Sequence, residues 1–475
     1  MFVQQFFVKG LAHSSYLLGG GETCAIVDPR RDVQVYLDAA EAMGMKVTHI
    51  LETHLHADFI SGHLDLAEKT GARIYAPKAA RCKFEHVPVA QGDSFAVEDM
   101  ELRVLETPGH TPEHVSYVVR DLSRGKEPVA MFCGDTLFVG DVGRPDLFPG
   151  MARELASKLY DSLHQKLMKL PAFCEVYPAH GAGSLCGRAM GAKRTSTIGY
   201  EVKYNAALKL KNREAFIKSL TTNMPAAPDH FSRCSATNTA GPALVRRLPQ
   251  PVPLEAAAFA ARARRKRTLV LDVRSYEAFG GQHVPGAYHI DLSGNFATFA
   301  GWVLPVDHDV LLVTETNEQA AEAAGMLRRV GLDRTVGCLE DGMFAWAASG
   351  LPTEHVPQVS SRELQDLTHS GGGLTLLDVR AVREYEQLHI EGAINIPAPD
   401  LRTRSGELRN DLPVVTICST GHRSSLAASL LKQRGFKDVR NAAGGMTGYS
   451  AAGYAPECPM CVAPHIPAPI GMLTR

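Results

Sequence analysis

Two spacings of apolar positions divide this chain of 475 residues into regions. Over residues 1 to about 225, strand-like runs such as Thr48-His-Ile-Leu-Glu52 and Glu101-Leu-Arg-Val-Leu105 alternate with helical patterns, which predicts a mixed α/β unit. From Asn223 to Pro253 the pattern lapses and prolines recur (Pro225, Pro228, Pro242, Pro249, Pro251, Pro253), a composition suited to an extended connector. Beyond it, buried-type strands (Leu269-Val-Leu-Asp-Val273 and Val414-Val-Thr-Ile417) alternate with helical stretches at residues 320–329 and 424–433. That alternation predicts parallel-sheet α/β architecture.

The second half repeats itself. Leu271-Asp-Val-Arg274 recurs as Leu377-Asp-Val-Arg380, and His283, Gly286 and Ala287 recur as His389, Gly392 and Ala393, all 106 residues on. Gly331 matches Gly435 and Gly342-Met343 matches Gly445-Met446 at slightly shorter offsets, as loops of different length would give. The expected organisation is a first domain over 1–235, a linker over 236–257, two copies of one domain over 258–356 and 357–458, and a tail over 459–475.

Composition narrows the function classes. Hydrophobic content of 45%, charged content of 21% and a net charge of −1 give no bias toward nucleic acid or a membrane surface. The basic run Arg262-Ala-Arg-Arg-Lys-Arg267 precedes a buried-type strand and reads as a solvated helix end. The start lacks a basic n-region, and no long apolar stretch occurs, so a cytoplasmic protein is expected. Ten cysteines in this length are too dilute for a disulfide scaffold. Cys24, Cys82, Cys133, Cys174, Cys234 and Cys338 read as packing, and Cys458-Pro-Met-Cys461 as a redox-sensitive or exposed tail pair rather than a zinc site.

Candidate chemistry concentrates at strand ends. Thr53-His-Leu-His-Ala-Asp58 sets two imidazoles and a carboxylate within five residues, and Thr107-Pro-Gly-His110, Phe132-Cys-Gly-Asp135 and Tyr177-Pro-Ala-His180 follow in order. Each group comes after an apolar strand and a tight turn, the way a scaffold presents metal ligands on loops.

These segments resemble the metallo-β-lactamase superfamily, and the run from Gly134 to Asp146 resembles its persulfide (sulfur) dioxygenase branch. The resemblance covers most of residues 1–220 and implies an αβ/βα sandwich. It also implies iron ligands at His54, His110 and Asp135 and a substrate-contacting Arg144. Superfamily hydrolases carry a histidine after the motif aspartate, where this chain has Phe59, which cannot ligate. Asp58 and His180 are then an incomplete second site, and one non-haem Fe(II) per chain is expected. Two imidazoles and one carboxylate leave open positions for sulfur and dioxygen, with His56 orienting or polarising the site. After His180 the chain reads Gly181-Ala-Gly-Ser-Leu-Cys-Gly187 and departs from the glutathione-type pattern, so glutathione, coenzyme A and similar thiols all remain candidate carriers. Cys186 is either a persulfide holder beside the pocket or a buried thiol.

In the last copy, Val414-Val-Thr-Ile417 runs into Cys418-Ser-Thr-Gly-His-Arg423 and a helix. Loop amides and a helix N-terminus favour anionic sulfur, and Arg423 adds charge. Strand, six-residue loop and helix resemble rhodanese sulfurtransferases, with Cys418 as nucleophile; related phosphatases use a loop one residue longer. The first copy reads Thr314-Glu-Thr-Asn-Glu-Gln319 at this place, without nucleophile or cation, and is expected to be an inactive spacer. Together the resemblances imply oxidation of a low-molecular-weight persulfide with O2 to sulfite and thiol. They couple it to sulfur transfer among persulfide, sulfite and thiosulfate, in sulfide detoxification or sulfur assimilation. A homo-oligomer is the expected assembly. A zinc thioester hydrolase of glyoxalase II type with a sulfur-transfer module, and a non-catalytic sulfur carrier or redox sensor, are the rival readings.

Overall fold

The computed structural model describes residues 1–222, 224, 226–370 and 373–455. Its chain divides into a first unit built on Met1–Leu248 and a second beginning at Pro249.

The first unit holds two six-stranded sheets. One runs in chain order through β1 (Phe2–Val8), β2 (His13–Gly19), β3 (Thr23–Val27), β4 (Lys46–Leu51), β5 (Arg73–Pro77) and β6 (Val87–Val89). The other contains β7 (Ser94–Val97), β8 (Met100–Glu106), β9 (Val115–Asp121), β10 (Ala130–Gly134), β11 (Glu175–Pro178) and β12 (Ser196–Thr197). Side chains alternate faces along a strand, and the packing follows that rule. Tyr16, Leu18, Ala25 and Val27 point inward and meet Leu102, Val104, Tyr117 and Val119 of the second sheet. Leu17, Cys24 and Ile26 point outward and pack on Tyr36 and Ala40 of the helix Gln34–Ala42 and on Leu66 of the helix His63–Thr70. On the far side Val118, Met131 and Val176 pack on Leu159, Leu163 and Phe216. Helices therefore cover both outer faces, which is why the central strands read as almost continuous apolar runs.

The second unit holds two five-stranded parallel sheets of the same strand order. The first contains β13 (Val252–Leu254), β14 (Thr268–Asp272), β15 (Tyr288–His289), β16 (Asp309–Val313) and β17 (Thr335–Leu339). The second contains β18 (Gln358–Val359), β19 (Thr375–Asp378), β20 (Ile394–Asn395), β21 (Val414–Ile417) and β22 (Val439–Ala442). The sequence repeat is thus a repeat of topology.

The stretch expected to be a linker is structured. Residues 236–240 end the helix His230–Ala240, and residues 252–254 pair with β17 as an edge strand. His230, Cys234 and Asn238 recur every four residues and are buried, a helical face masked by its polar composition.

Candidate functional site

Loops after β4, β8, β10 and β11 bring the motif side chains together. His110 Nε2 lies 3.3 Å and His54 Nε2 3.8 Å from Asp135 Oδ2. His54, His110 and Asp135 form one buried donor set able to hold a metal ion, as do Asp58, His180 and Cys186, and Asp28, Glu52 and His56. Backbone geometry supports the convergence. Gly134 adopts φ +49°, and a Cβ there would sit 2.5 Å from both Thr53 Oγ1 and His114 Nε2. Only glycine lets β10 turn into Asp135 at this point.

Hydrogen bonds fix which ring nitrogens face the centre. His110 Nδ1 bonds the Arg144 carbonyl at 2.9 Å, leaving a buried Nε2 that makes no hydrogen bond. His54 Nδ1 bonds Thr53 Oγ1 at 3.0 Å. Burial, then neighbouring His56, holds His54 well below the ordinary imidazole range, and burial also lowers His110. Both rings are therefore neutral, the form that binds a metal. Asp135 is held well below the usual carboxylate range: burial opposes ionisation, but His180, His110 and His54 outweigh it. An orphaned imidazole nitrogen, two neutral rings and one carboxylate fit a divalent cation.

His180 stands between two carboxylates, with Nδ1 2.7 Å from Asp135 Oδ1 and Nε2 2.8 Å from Asp58 Oδ2. Burial disfavours its charge, yet those carboxylates raise it well above the ordinary value. It reaches them because His13 and His180 form a bridge flanked by Ser14 N–H to Ala179 O and Gly181 N–H to Ala12 O. His56 faces Asp28 at 3.2 Å, outside the first donor set. The Phe59 ring packs 4.0 Å from His13 and 4.4 Å from His56, measured between ring centres.

Cys186 is 1% exposed and joins Asp58 and His180; burial, then Asp58 and Asp135, pushes its thiol well above the ordinary range. Arg144 is 2% exposed. Its guanidinium meets Asp146 through two bonds of 2.7 Å and donates to the Leu185 carbonyl, and its backbone joins His110 to Cys186. The contacts seen for this expected substrate residue are thus braces of the loop. Cys24, Cys133, Cys174, Cys234 and Cys338 are buried and Cys82 is half-buried. Cys458 and Cys461 lie outside the described residues.

Two residues passed over in the sequence support the centre. His114 Nε2 accepts the Asp135 N–H at 3.0 Å, and burial lowers His114 to about 3, which keeps that nitrogen an acceptor. Its place four residues after His110 was the available signal. Asn238 donates to the carbonyls of His56 and Phe59 at 2.8 Å each and accepts from Ser61 N–H, pinning the motif loop from 177 to 182 residues away.

In the second unit, Cys418 is buried at the end of β21 and its Sγ receives Gly421 N–H at 3.1 Å and Ser424 Oγ–H at 3.3 Å. Gly421 has φ +101° and opens the twelve-residue helix His422–Gln433. The carbonyls of Cys418 and Ser419 accept from Met446 and Thr447. Arg423 pairs with Glu384 at 2.6 and 2.7 Å and bonds Ser419 Oγ, so its charge is matched and it ties the loop. In the first copy Thr314 Oγ1 bonds Thr316 O and Gln319 Oε1 accepts Glu315 N–H, closing that loop on itself.

The profile of the Metallo-beta-lactamase superfamily matches residues 8–180, and that of the Rhodanese-like domain matches 255–349 and 360–452. A persulfide dioxygenase of Mus musculus, the mitochondrial protein ETHE1, is 30% identical over 47% of this chain and 82% of its own length. The chain belongs to the metallo-β-lactamase superfamily. Two rhodanese-like domains follow that domain. A hydroxyacylglutathione hydrolase of Rhodospirillum rubrum is 41% identical over 33% of the chain, which spans 57% of that relative. A metallo-beta-lactamase structure from Staphylococcus aureus is 35% identical with a TM-score of 0.64, covering 71% of this chain and 98% of that one. No helix among the described residues is long and apolar enough to cross a membrane.

Asn238→Ala should leave two carbonyls and one amide unpaired in the core and destabilise the first unit by about 2–4 kcal/mol. Thermal unfolding together with metal content checks this; an unchanged transition would show that the loop does not depend on it.

Proposed function

We propose that the first unit oxidises a low-molecular-weight persulfide and that Cys418 carries sulfur between persulfide, sulfite and thiosulfate. The observation that carries this reading is one chain holding both a two-histidine, one-carboxylate donor set and an intact cysteine loop of rhodanese type. The overall change is persulfide plus O2 plus water giving thiol, sulfite and two protons.

His54, His110 and Asp135 would hold a single iron, which supplies open coordination positions where sulfur and dioxygen meet. His114 and His180 fix Asp135 from its amide and its carboxylate, and Phe59 occupies the place of a further ligand. Cys186, beside Asp58 and His180, holds or relays sulfur at the edge of this pocket. Arg144 aligns that edge with His110, and it reaches a carrier's anionic group only by exchange with Asp146. At the other site the Gly421 amide and Ser424 hydroxyl stabilise the Cys418 thiolate whenever its outer sulfur leaves.

A second reading, thioester hydrolysis on two metal ions, draws support from the hydroxyacylglutathione hydrolase relatives and from the Asp58, His180 and Cys186 group. Metal analysis separates the two: one iron per chain is expected, and two zinc ions without iron would replace the oxidative reading with the hydrolytic one. Asp135→Ala should lose iron and oxygen uptake to background while sulfur transfer persists, measured by metal analysis and an oxygen electrode; normal iron loading would show the ligands to be elsewhere.

Cys418→Ser should keep oxygen uptake near wild type with a small persulfide, because the sites lie in separate domains. Sulfite should accumulate at the expense of thiosulfate. A wild-type product ratio would remove Cys418 from the transfer step, and lost oxygen uptake would mean that sulfur reaches the first unit only through Cys418.

A further inference from the structure

The two rhodanese-like copies touch at the sulfur loop. A Cβ on Gly421 would lie 3.0 Å from Cζ of Tyr276, so this ring from the first copy rests on the residue whose amide bonds Cys418 Sγ. The same ring meets His422 edge-on, 5.2 Å between centres at 90°. Beside it, a Cβ on Gly445 would lie 2.3 Å from the Cys418 carbonyl. Asp291 Oδ2 of the first copy lies 3.2 Å from His422 Nδ1, and His289 N–H bonds Ser429 Oγ on the helix that follows the loop.

The internal repeat shows which of these contacts belong to the first copy alone. Where it has Tyr276, Glu277 and Asp291, the second copy has Val382, Arg383 and Pro397. Conversely, Cys418, Arg423 and its partner Glu384 correspond to Thr314, Gln319 and Ala278. The first copy thus lacks the reacting set and carries another set directed at its neighbour's loop.

We propose that the nucleophile-free copy is part of the sulfur-transfer site, with Tyr276 and Asp291 positioning the Cys418 loop and its rim for a small anionic sulfur acceptor. The proposal rests on sulfur transfer at Cys418 as read above. In the step served, the sulfur lone pair of sulfite attacks the outer sulfur of the Cys418 persulfide. The new S–S bond of thiosulfate forms, the bond to Sγ breaks, and its electron pair stays on Sγ facing Gly421 N–H and Ser424 Oγ–H. Tyr276 holds Gly421 in the φ that aims this amide. Asp291, 3.2 Å from Nδ1 of half-exposed His422, raises that ring above the ordinary imidazole value against burial and so favours an imidazolium at the loop. The other groups facing His422 are Glu277 and the Tyr276 ring, while Arg423 beside it is matched by Glu384.

The test uses the full chain with Tyr276→Ala, Tyr276→Phe and Asp291→Asn, measuring kcat and KM for transfer between thiosulfate and sulfite alongside oxygen uptake with a small persulfide. Tyr276→Ala should lower kcat/KM for transfer about 10- to 100-fold, with Tyr276→Phe much closer to wild type and oxygen uptake unchanged in both. For Asp291→Asn the sign follows from the imidazolium: without its carboxylate it loses its proton at lower pH. The rise in KM for sulfite with pH should therefore begin about one unit lower. Wild-type kcat, KM and pH profile in both Tyr276→Phe and Asp291→Asn, with Tyr276→Ala either equally active or failing to fold, would reduce the first copy to a spacer. Transfer that survives Cys418→Ser would instead overturn the parent reading.

Discussion

Everything in the first unit depends on keeping the Asp135 carboxylate ionised with no exposure to solvent. Burying a lone carboxylate costs several kcal/mol unless charge and hydrogen bonds replace water. Here His180, which its two carboxylates favour in the charged form, bonds the carboxylate and His114 takes the backbone amide, while the neutral rings of His54 and His110 face Oδ2 without a hydrogen bond and leave that side to a cation. These groups come from both sheets, so the sandwich must close before the carboxylate is satisfied. Gly134 and Asn238 serve the same end, one by letting the chain turn and the other by pinning the opposite loop. With both facing imidazoles neutral, a divalent cation is what such a cluster suits.

The second unit solves a different electrostatic problem with fewer charges. The Cys418 sulfur is met by an amide, a hydroxyl and a helix start, while the adjacent arginine is matched by Glu384. The shape of this loop is held by the Met446 and Thr447 amides, which bond the Cys418 and Ser419 carbonyls. At the corresponding place in the first copy, Thr314 sits in a loop closed by its own side chains, with no cysteine where the second copy has Cys418. The two sites thus offer two unlike ways of accommodating negative charge, histidines around a carboxylate in one and an amide and a hydroxyl around a sulfur in the other.

Much of this was legible in the sequence because its signals are local. Short spacings and turns exposed His54, His110, Asp135 and the Cys418 loop, and the repeat offset exposed the paired topology. What escaped reading depends on long-range partners. Asn238 belongs to a helix whose buried face is His230, Cys234 and Asn238, residues that do not read as an apolar stripe, and its partners lie 177 or more residues away. Arg423 reads as charge added to the Cys418 loop, and its partner Glu384, on the helix Val382–Gln387, is not visible from the loop's own sequence. The pairing of Arg144 with Asp146, two residues on, is likewise not announced by the motif in which Arg144 stands.

The central claim is that persulfide sulfur is oxidised by O2 in the first unit, and stoichiometry tests it most directly. Purified protein loaded with one equivalent of Fe(II) is given a small persulfide under air, with Cys418→Ser used so that sulfite is not drawn into thiosulfate. The account predicts one O2 consumed for each sulfite formed, and neither in zinc-loaded protein. Thioester cleavage by the zinc form, with no oxygen consumed by the iron form, would contradict it.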